Sequence, residues 1–413
     1  MRQIVGRPDG SIEILDGFRP AARSGRDLVA VAVDDLLPLP EEATLTHLPG
    51  RRPVAIDGDG DPVEVGGDWL AVAAVLPVGH LRTLLPATRR EAGARRLPLF
   101  GYTAVVEHDG DLMCAALRTD TFEWWQPANY GRADLPAAVE AARAALPGNR
   151  LVDHLAVCAL ENRCYTAQNT FHRRYEGALP ASPACNADCL GCISLQTDGE
   201  VPAPQERMRF APTADELVAL ADWHLRGDDA AIVSFGQGCE GEALTRDDAL
   251  VDATRRIREL HPAATIHINT NGSKPHILER LIDAGLNSVR ISAISFNDAV
   301  FHPYYRPVGY GLDDVIACGE LMRARGGQVC LNLLTFPGVT DVAEEIDATA
   351  AASRAMGVDQ VQWRSLNVDH DWLLEVLPTL PAGIGMRAAM QRFEDLFPGV
   401  DHGNFTRPVA AAV

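Results

Sequence analysis

Short apolar segments rich in β-branched residues alternate with amphipathic stretches over the second half of the chain. This alternation restricts the fold most, because strands and helices that alternate at this spacing form parallel β/α units. Strands are predicted at 231–235, 265–269, 288–293, 328–334 and 360–365, and helices at 214–225, 247–259, 275–284, 313–325 and 342–356. With a strand just before Cys185 and a helix near 387–397, the pattern predicts six strand-helix units in an α/β fold. Ligand sites in such folds collect at the carboxyl ends of the strands.

The first part of the chain has a different texture, with short alternating segments. Segments 103–107 and 112–117 flank the turn residues 108–111 and predict a β-hairpin. We therefore expect a separate N-terminal α+β domain of unassigned role at 1–150, a linker at 151–180, a barrel at 181–400 and a flexible tail at 401–413. Substrate choice is expected to reside partly in the N-terminal domain.

Charge and hydropathy exclude several classes of protein. Lysine and arginine total 37 against 56 acidic residues, a formal charge of -19, which disfavours nucleic acid as a partner. No apolar run approaches the roughly 18 residues of a membrane span. The start of the chain also lacks the apolar centre of a secretory signal. The expected location is the cytoplasm.

Three of the nine cysteines, Cys185, Cys189 and Cys192, lie in a C-x3-C-x2-C run after a loop-like, proline-containing segment. The alternative is a structural zinc site, but closed zinc sites take four ligands, usually as two separated pairs. The later cysteines are isolated along the chain, so this run supplies three thiolates and leaves one position of a metal centre without a protein ligand.

This spacing resembles the radical S-adenosylmethionine (SAM) superfamily. The resemblance implies a [4Fe-4S] cluster on Cys185, Cys189 and Cys192, SAM chelated to the fourth iron, and a partial (β/α)6 barrel. It covers roughly 182–365. Many members carry an aromatic residue just before the third cysteine, where this chain has Gly191. Adenine is therefore expected to rest on backbone near Ile193 and on later strands near Trp363.

The segment after the second predicted strand, 234–243, contains three glycines and two carboxylates and is similar to the family's Gly-Gly-Glu-Pro loop. The resemblance implies SAM contacts from this loop, with Glu242 as the partner of the SAM ammonium group; the candidates are Ser234, Gly238, Glu240, Gly241 and Glu242. The alternative is a tight turn with solvated acids.

Later strands offer further polar residues. In the family these strands contact the ribose and the methionyl carboxylate, which makes Asn269, Asn271, Ser292 and Asn332 candidates by resemblance. Because successive side chains alternate between faces, Asn269 and Asn271 can share one face, while Arg290 and Ser292 share another and can serve packing instead. Capping hydrogen bonds are an equal alternative for each residue.

Two other groups of residues leave alternatives open. Tyr304, Tyr305 and Arg306 lie in a segment that either orients a substrate or packs as a proline-stiffened loop. Cys158 and Cys164 either ligate a second cluster or pack as small apolar groups, and the ligand count favours packing.

The leading hypothesis is a radical SAM enzyme. It would cleave SAM reductively to a 5′-deoxyadenosyl radical that abstracts hydrogen from an organic or peptide substrate. A flavodoxin or ferredoxin would supply the electron, with the arginines at 89–96 as a docking patch or simply a solvated face. The alternatives are a radical SAM methyltransferase-like enzyme and a non-catalytic iron-sulfur or zinc sensor or scaffold.

Overall fold

The computed structural model describes residues 1–409, in which a strand-rich N-terminal part precedes a β/α part. The N-terminal strands pair antiparallel in one nine-stranded and one six-stranded sheet. These strands are β1 Arg2–Gly6, β2 Ile12–Leu15, β3 Arg19–Ser24, β4 Asp27–Ala30, β5 Leu36–Pro38, β6 Thr44–Leu48, β7 Arg51–Ile56, β8 Pro62–Glu64, β9 Leu70–Val75, β10 His80–Arg82, β11 Leu85–Pro86, β12 Thr88–Arg90, β13 Tyr102–Thr103, β14 Val105–His108 and β15 Asp111–Arg118.

The predicted hairpin is confirmed as β14 and β15, which pair with His108 opposite Asp111. The two turn residues, Asp109 and Gly110, have φ values of 55° and 98°. A two-residue turn with positive φ at both positions matches the twist of the flanking strands, and aspartate followed by glycine adopts it at low cost.

Three helices connect the two parts of the chain: α1 Leu135–Ala145, α2 Arg150–Leu160 and α3 Tyr165–His172. Their apolar faces, including Val139, Leu155 and Phe171, are buried in the same hydrophobic core as the parallel strands. The unit that packs with the barrel therefore begins at α1, ahead of the predicted boundary at residue 150. Amphipathic helices bury their apolar side against whichever element offers a matching surface, which local texture does not reveal.

The predicted partial barrel of parallel β/α units is confirmed. Its strands lie in chain order and pair parallel throughout, which places all their carboxyl ends at one edge. The strands are β16 Glu176–Ala178, β17 Ile232–Phe235, β18 Thr265–Thr270, β19 Ser288–Ala293, β20 Gln328–Thr335, β21 Gln360–Ser365 and β22 Asp401–Gly403. The helices are α4 Ala214–Leu225, α5 Asp247–Leu260, α6 Pro275–Asp283, α7 Asp298–Tyr305, α8 Leu312–Ala324, α9 Ala343–Met356, α10 His370–Val376 and α11 Met386–Leu396.

The end of the chain differs from the predicted flexible tail at 401–413. Residues 401–403 form β22, which extends the parallel sheet beside β21. Asn404 and Thr406 are buried, and Thr406 Oγ1 accepts a hydrogen bond from Arg290 at 3.3 Å. Residues 410–413 lie outside the described part. The strand is only three residues long, so its sequence carries too little alternation to predict it.

The predicted proline-stiffened loop around residue 303 is instead the second half of α7. The side chain of Asn297 caps this helix by accepting a hydrogen bond from Ala299 N at 3.0 Å. Pro303 lies inside the helix, and Arg306 ends it in the left-handed conformation with φ of 46°. Tyr304 and Tyr305 therefore sit on the last helical turn, which points back to the cysteine loop.

The N-terminal sheets are attached to the barrel by a buried ion-pair network. Arg51 is fully buried and donates from Nη2 to Asp369 and from Nε to Asp371, each at 2.7 Å. Arg23 donates to the other Asp371 oxygen at 2.8 Å. In addition, Arg82 N donates to Ser365 Oγ at 2.9 Å, which places β10 at the end of β21. The segment before β10 thereby reaches the carboxyl edge of the barrel.

We expect Arg51→Met to lower the free energy of unfolding by roughly 3–5 kcal/mol, because it leaves the Asp369 carboxylate buried without its cation. Arg392→Met is the matched control: its pair with Asp347 is about half exposed, and its loss should cost at most about 1 kcal/mol. Urea unfolding of both variants measures the difference. Equal losses in the two variants would contradict the assigned role of Arg51.

Candidate functional site

The cysteine loop lies between β16 and α4 and is held in place by the end of α7. Asp188 N donates to the Tyr305 carbonyl and Leu190 N to the Tyr304 carbonyl, both at 3.0 Å. Val308 N donates to the Asn186 carbonyl at 2.9 Å. These backbone bonds fall between Cys185 and Cys192, so the conformation of the loop is set by a helix and its following residues more than a hundred positions away in sequence.

The three loop thiols face one another in a partly buried position. Burial raises the pKa of Cys189 well above its ordinary value, and the neighbouring Cys192 and Cys185 raise it further; burial also raises the pKa of Cys185. Arg207 Nη2 donates to Cys192 Sγ at 3.3 Å. Thiolates crowded in this way need a compensating metal charge, because the protein around them favours the neutral thiols.

The spacing of these thiols separates the cluster hypothesis from the zinc hypothesis. Within residues 1–409, ligand atoms close enough for one ion, all within 4.8 Å of one another, occur in one group that does not include Cys185, Cys189 or Cys192. A wider set of three thiolates fits the corners of a multi-iron cluster better than a single tetrahedral ion. The donor set therefore fits a [4Fe-4S] cluster.

The glycine-rich loop after β17 is fastened to the residues that lead into the cysteine loop. Gly241 N donates to the Ser182 carbonyl at 2.7 Å, and Glu242 N donates to the Ala184 carbonyl at 2.8 Å. A Cβ at position 241 would lie 2.0 Å from the Ala184 oxygen, so only glycine allows this approach. The glycine at 241 thus serves contact between two backbone segments.

Glu240 is a buried backbone clamp. Its Oε2 accepts from Ala181 N and Ser182 N, each at 2.7 Å, and its Oε1 accepts from Gln237 N at 2.6 Å. Burial raises the pKa of Glu240 to about 8. With only 3% of Glu240 and 5% of Glu242 exposed, the alternative of a turn with solvated acids is wrong.

Glu242 lies between the glycine-rich loop and β18. Its carboxylate accepts from Thr270 Oγ1 at 2.6 Å, Asn271 N at 2.8 Å and Leu244 N at 3.0 Å. Burial raises the pKa of Glu242, and its charge in turn raises the pKa of Cys185. This carboxylate is therefore the one that faces the cysteine loop.

A cavity of about 530 Å³ opens beside the cysteine loop at the carboxyl edge of the sheet. Its wall contains many of the predicted strand residues together with two arginines: Gly238, Asn269, Arg290, Ser292, Asn332 and Arg364. Asn269 lies beside Arg290 and Ser292 beside Asn332 in the strand register. The expectation that Arg290 and Ser292 occupy a separate face is therefore wrong, because neighbouring residues of parallel strands in register point to the same side.

Five predicted contacts lie outside this cavity wall: Glu240, Gly241 and Glu242, described above, and Ser234 and Asn271. Asn271 follows the end of β18 and donates from Nδ2 to Asn186 Oδ1 at 3.0 Å, beside the cysteine loop. Ser234 is fully buried, and its hydroxyl accepts from Asn269 Nδ2 at 3.0 Å. Ser234 thus orients Asn269 rather than facing the cavity.

Of the three residues predicted as substrate contacts, the cavity receives one. Tyr304 lines the cavity, and a Cβ at Gly191 would lie 2.8 Å from its hydroxyl oxygen. Tyr305 is buried against Phe301, with ring centroids 4.8 Å apart. Arg306 is half exposed and pairs with Asp188 at 3.3 Å.

Trp363 does not approach the cavity, contrary to the expectation from the sequence. It is fully buried, stacks on His402 and donates to its Nδ1 at 3.1 Å. Trp363 alternates along β21 with Arg364, which does line the cavity. The period of two in a strand assigns the two side chains to opposite faces.

Arg290 and Arg364 were the main omission from the predicted site. Arg290 Nη1 donates to Gln362 Oε1 at 3.0 Å, and Arg364 donates to the Asn404 carbonyl. Within residues 1–409 neither guanidinium pairs with a carboxylate, and the Nε of each, like Asn332 Oδ1, is buried without a hydrogen-bond partner. Burial and the nearby Arg290 lower the pKa of Arg364 to about 9. The sequence does carry a signal for this face that the prediction did not use: Gln362 and Arg364 alternate with apolar residues along β21.

The N-terminal part of the chain supplies some of the cavity wall. Residues 75–80, which follow β9 and run into β10, line it together with Gly101. Burial lowers the pKa of His80, whose Nδ1 is buried without a partner in the described chain. The cavity is thus bounded by both parts of the protein.

Residues 179–351 match the family model described as the radical SAM superfamily. No curated protein sequence matches the chain.

Among solved structures, the chain is similar to the following three enzymes, each with a TM-score of 0.38. Methylornithine synthase is 16% identical over 64% of this chain and 77% of its own. HydG, a maturase of the [FeFe]-hydrogenase, is 12% identical over 66% of each chain. A radical SAM methyltransferase from Sphaerobacter thermophilus is 16% identical over 55% of this chain and 64% of its own. The chain spans less than two thirds of the last of these, and such scores support no inference about a shared reaction.

The two loop carboxylates should respond differently to substitution. Glu242→Gln is expected to weaken SAM binding by on the order of 1.5–3 kcal/mol, through loss of a charge-assisted hydrogen bond. It should also lower the melting temperature, because its amide nitrogen would face the buried N–H of Leu244 or Asn271. Glu240→Gln is expected to lower the melting temperature, because its amide nitrogen would face a buried backbone N–H. The readout that separates the two variants is SAM affinity, which Glu240→Gln should keep. Calorimetric titration with SAM and thermal unfolding of both variants test this. Loss of SAM affinity in Glu240→Gln without loss of stability would reverse the two assignments.

Proposed function

We propose that the chain, whose residues 179–351 match the radical SAM superfamily, is an enzyme of that superfamily acting on a small, anionic organic substrate held in the 530 Å³ cavity. Members of this superfamily bind a [4Fe-4S] cluster and SAM. When bound, this pair supplies one-electron cleavage of SAM to methionine and a 5′-deoxyadenosyl radical, which abstracts hydrogen from the substrate. The chain's own residues bind, orient and shield the reactants.

We assign the cluster to Cys185, Cys189 and Cys192. The three thiols are close enough to affect one another's pKa, but they do not all lie within the 4.8 Å that suits a single ion. The hydrogen bond from Arg207 to Cys192 is a further support. Arg207 places a positive charge beside a cluster thiolate, and hydrogen bonds to cluster sulfurs are a recognised means of tuning the potential. The Glu242 carboxylate, which faces Cys185, is assigned to the ammonium group of SAM.

The proposal that the substrate is an anion rests on Arg290 and Arg364. Two guanidiniums share one wall of the cavity with no carboxylate partner in residues 1–409, and each keeps an unsatisfied Nε. Both guanidiniums are partly buried, and the carboxylates of Glu176 and Asp120 act on Arg364 only from beyond ion-pair distance. A planar carboxylate or a phosphate satisfies several guanidinium donors at once. Residues 75–80 also form part of the cavity wall, which favours a small molecule over an extended peptide.

The electron donor and the location also remain proposals. A flavodoxin or ferredoxin is the proposed reductant, but the arginines at 89–96 do not offer it a free basic patch: Arg89, Arg90 and Arg96 pair with Glu64, Glu375 and Glu200. We propose a cytoplasmic enzyme that does not act on nucleic acid. Within residues 1–409, no helix has the length and apolar character needed to cross a bilayer.

The test of the activity is reductive SAM cleavage. After anaerobic reconstitution and addition of dithionite and SAM, the protein should release 5′-deoxyadenosine, and Cys185→Ala, Cys189→Ala and Cys192→Ala should each abolish release, because two thiolates do not hold the cluster. Cys330→Ala, a buried cysteine in β20, is the control that should keep both iron and turnover. Stoichiometric zinc without a SAM-dependent change in the iron spectrum would favour the scaffold alternative. Methylated products in place of 5′-deoxyadenosine would favour the methyltransferase-like one.

The test of the substrate class uses succinate as a probe on reconstituted protein saturated with SAM. Succinate should raise the melting temperature in a concentration-dependent manner, and the shift should fall by more than half in Arg290→Gln/Arg364→Gln, measured against that variant's own baseline. The exposed Arg323→Gln is the control variant, and uncharged succinamide is the control ligand. Equal shifts in melting temperature with both ligands, or in both variants, would show that the substrate is not bound as an anion by these arginines.

A further inference from the structure

A second group of metal-ligating side chains lies apart from the cysteine loop. His154, Cys158 and Cys239 place a ring nitrogen and two sulfur atoms within 4.8 Å of one another. His154 and Cys158 are four residues apart on α2, so they share one face of that helix. Cys239 comes from the glycine-rich loop after β17, eighty-one residues beyond Cys158 in the sequence. The sequence showed no spacing signal between them, and only the packing of α2 on the barrel brings them together.

The dimensions of this group suit one ion. A tetrahedral zinc ion with bonds of about 2.3 Å to sulfur and 2.0–2.1 Å to nitrogen holds such ligand atoms about 3.5–3.8 Å apart. The three ligand atoms lie within 4.8 Å of one another, and small side-chain rotations bring them to this closer spacing. The same compactness argues against a second multi-iron cluster, because the cube would hold its thiolates farther apart than a single ion does.

One polar atom of the group has no partner without an ion, whereas the two thiols hydrogen-bond to each other. Cys158 and Cys239 are each 2% exposed, and His154 Nε2 is buried with no hydrogen-bond partner in the described chain. Burial lowers the pKa of His154, so its imidazole is held in the neutral form that binds metals. Ordinary core packing explains buried thiols but not an imidazole nitrogen left unpaired beside them.

The surroundings allow an ion to enter and to be neutralised. A pocket of about 380 Å³ opens beside His154, and its wall carries two carboxylates, Asp153 and Glu206, together with Arg150, Arg207 and Arg209. On the inner side, Cys164 lies near enough for its charge to act on Cys239, and it also lines the central cavity. A divalent cation bound by two thiolates and a neutral imidazole carries no net charge, which suits a buried position.

We propose that His154, Cys158 and Cys239 bind a Zn²⁺ ion, with the fourth position filled by Cys164 or by water. Binding releases two protons to solvent when water fills the fourth position and three when the Cys164 thiolate does, with no change of oxidation state. The ion would join α2 to the loop that carries Glu240 and Glu242, and so would hold that loop in the conformation that faces the cysteine loop. This proposal does not depend on the proposed function.

The experiment uses Co²⁺ as a spectroscopic probe and the full chain with Cys185→Ala, Cys189→Ala and Cys192→Ala, so that the cysteine loop does not compete. One equivalent of Co²⁺ should give the strong visible bands of tetrahedral cobalt and a thiolate-to-cobalt charge-transfer band. Both should disappear in Cys158→Ala/Cys239→Ala. Cys318→Ala/Cys330→Ala, which removes two buried cysteines that belong to no such group, is the matched control and should bind as the parent does.

Two further measurements keep the outcome decisive if the double variant is unstable. His154→Asn alters one partly exposed ligand and should fold, yet weaken Co²⁺ binding at least tenfold in competition with a chelator. Zn²⁺ should raise the melting temperature of the parent but not of His154→Asn. The proposal is wrong if the parent binds no Co²⁺ in tetrahedral form or if either ligand variant binds like the parent. It is also wrong if alkylation and mass analysis of freshly purified protein show Cys158 and Cys239 joined as a disulfide.

Discussion

The arrangement of the site depends on the hydrogen bonds that fasten the chain before Cys185 to the loop after β17. Two backbone bonds from Gly241 and Glu242, and the two amides at 181 and 182 that donate to Glu240, hold the segments together. The contact requires glycine at 241 and a buried carboxylate at 240, both of which are unfavourable in isolation. Their cost is offset because the carboxylate satisfies backbone donors that would otherwise be buried unpaired. The proposed contact between Glu242 and the ammonium group of SAM depends on this geometry.

The cysteine loop has a second support, the end of α7, and the two supports act from different sides. Backbone bonds from Asp188 and Leu190 to α7 bring the ring of Tyr304 against Gly191. Many members of the superfamily carry an aromatic residue at the position of Gly191. Here the glycine leaves room for a tyrosine that arrives from another element. An aromatic side chain therefore still stands beside the third cysteine, at the wall of the cavity.

The N-terminal sheets complete the cavity because ion pairs hold them at the carboxyl edge of the barrel. Arg51 with Asp369 and Asp371 forms this junction in a buried setting, where charges are stable only in good mutual geometry. Residues 75–80 then form part of the cavity wall that also contains Arg290 and Arg364. Both parts of the chain therefore bound the same space, and the junction between them sets its size.

The sequence by itself determined the elements whose signals are local. The alternation of β-branched and amphipathic segments predicted the parallel strands, and the cysteine run predicted where a cluster loop would lie. Tertiary structure alone decided which polar residues meet. Arg290 and Arg364 share a wall through the register of parallel strands, and Cys239 reaches His154 and Cys158 through helix packing. It also turned the predicted tail into β22. The physical reason is range: periodicity and capping act over a few residues, whereas register and packing join residues far apart in the chain.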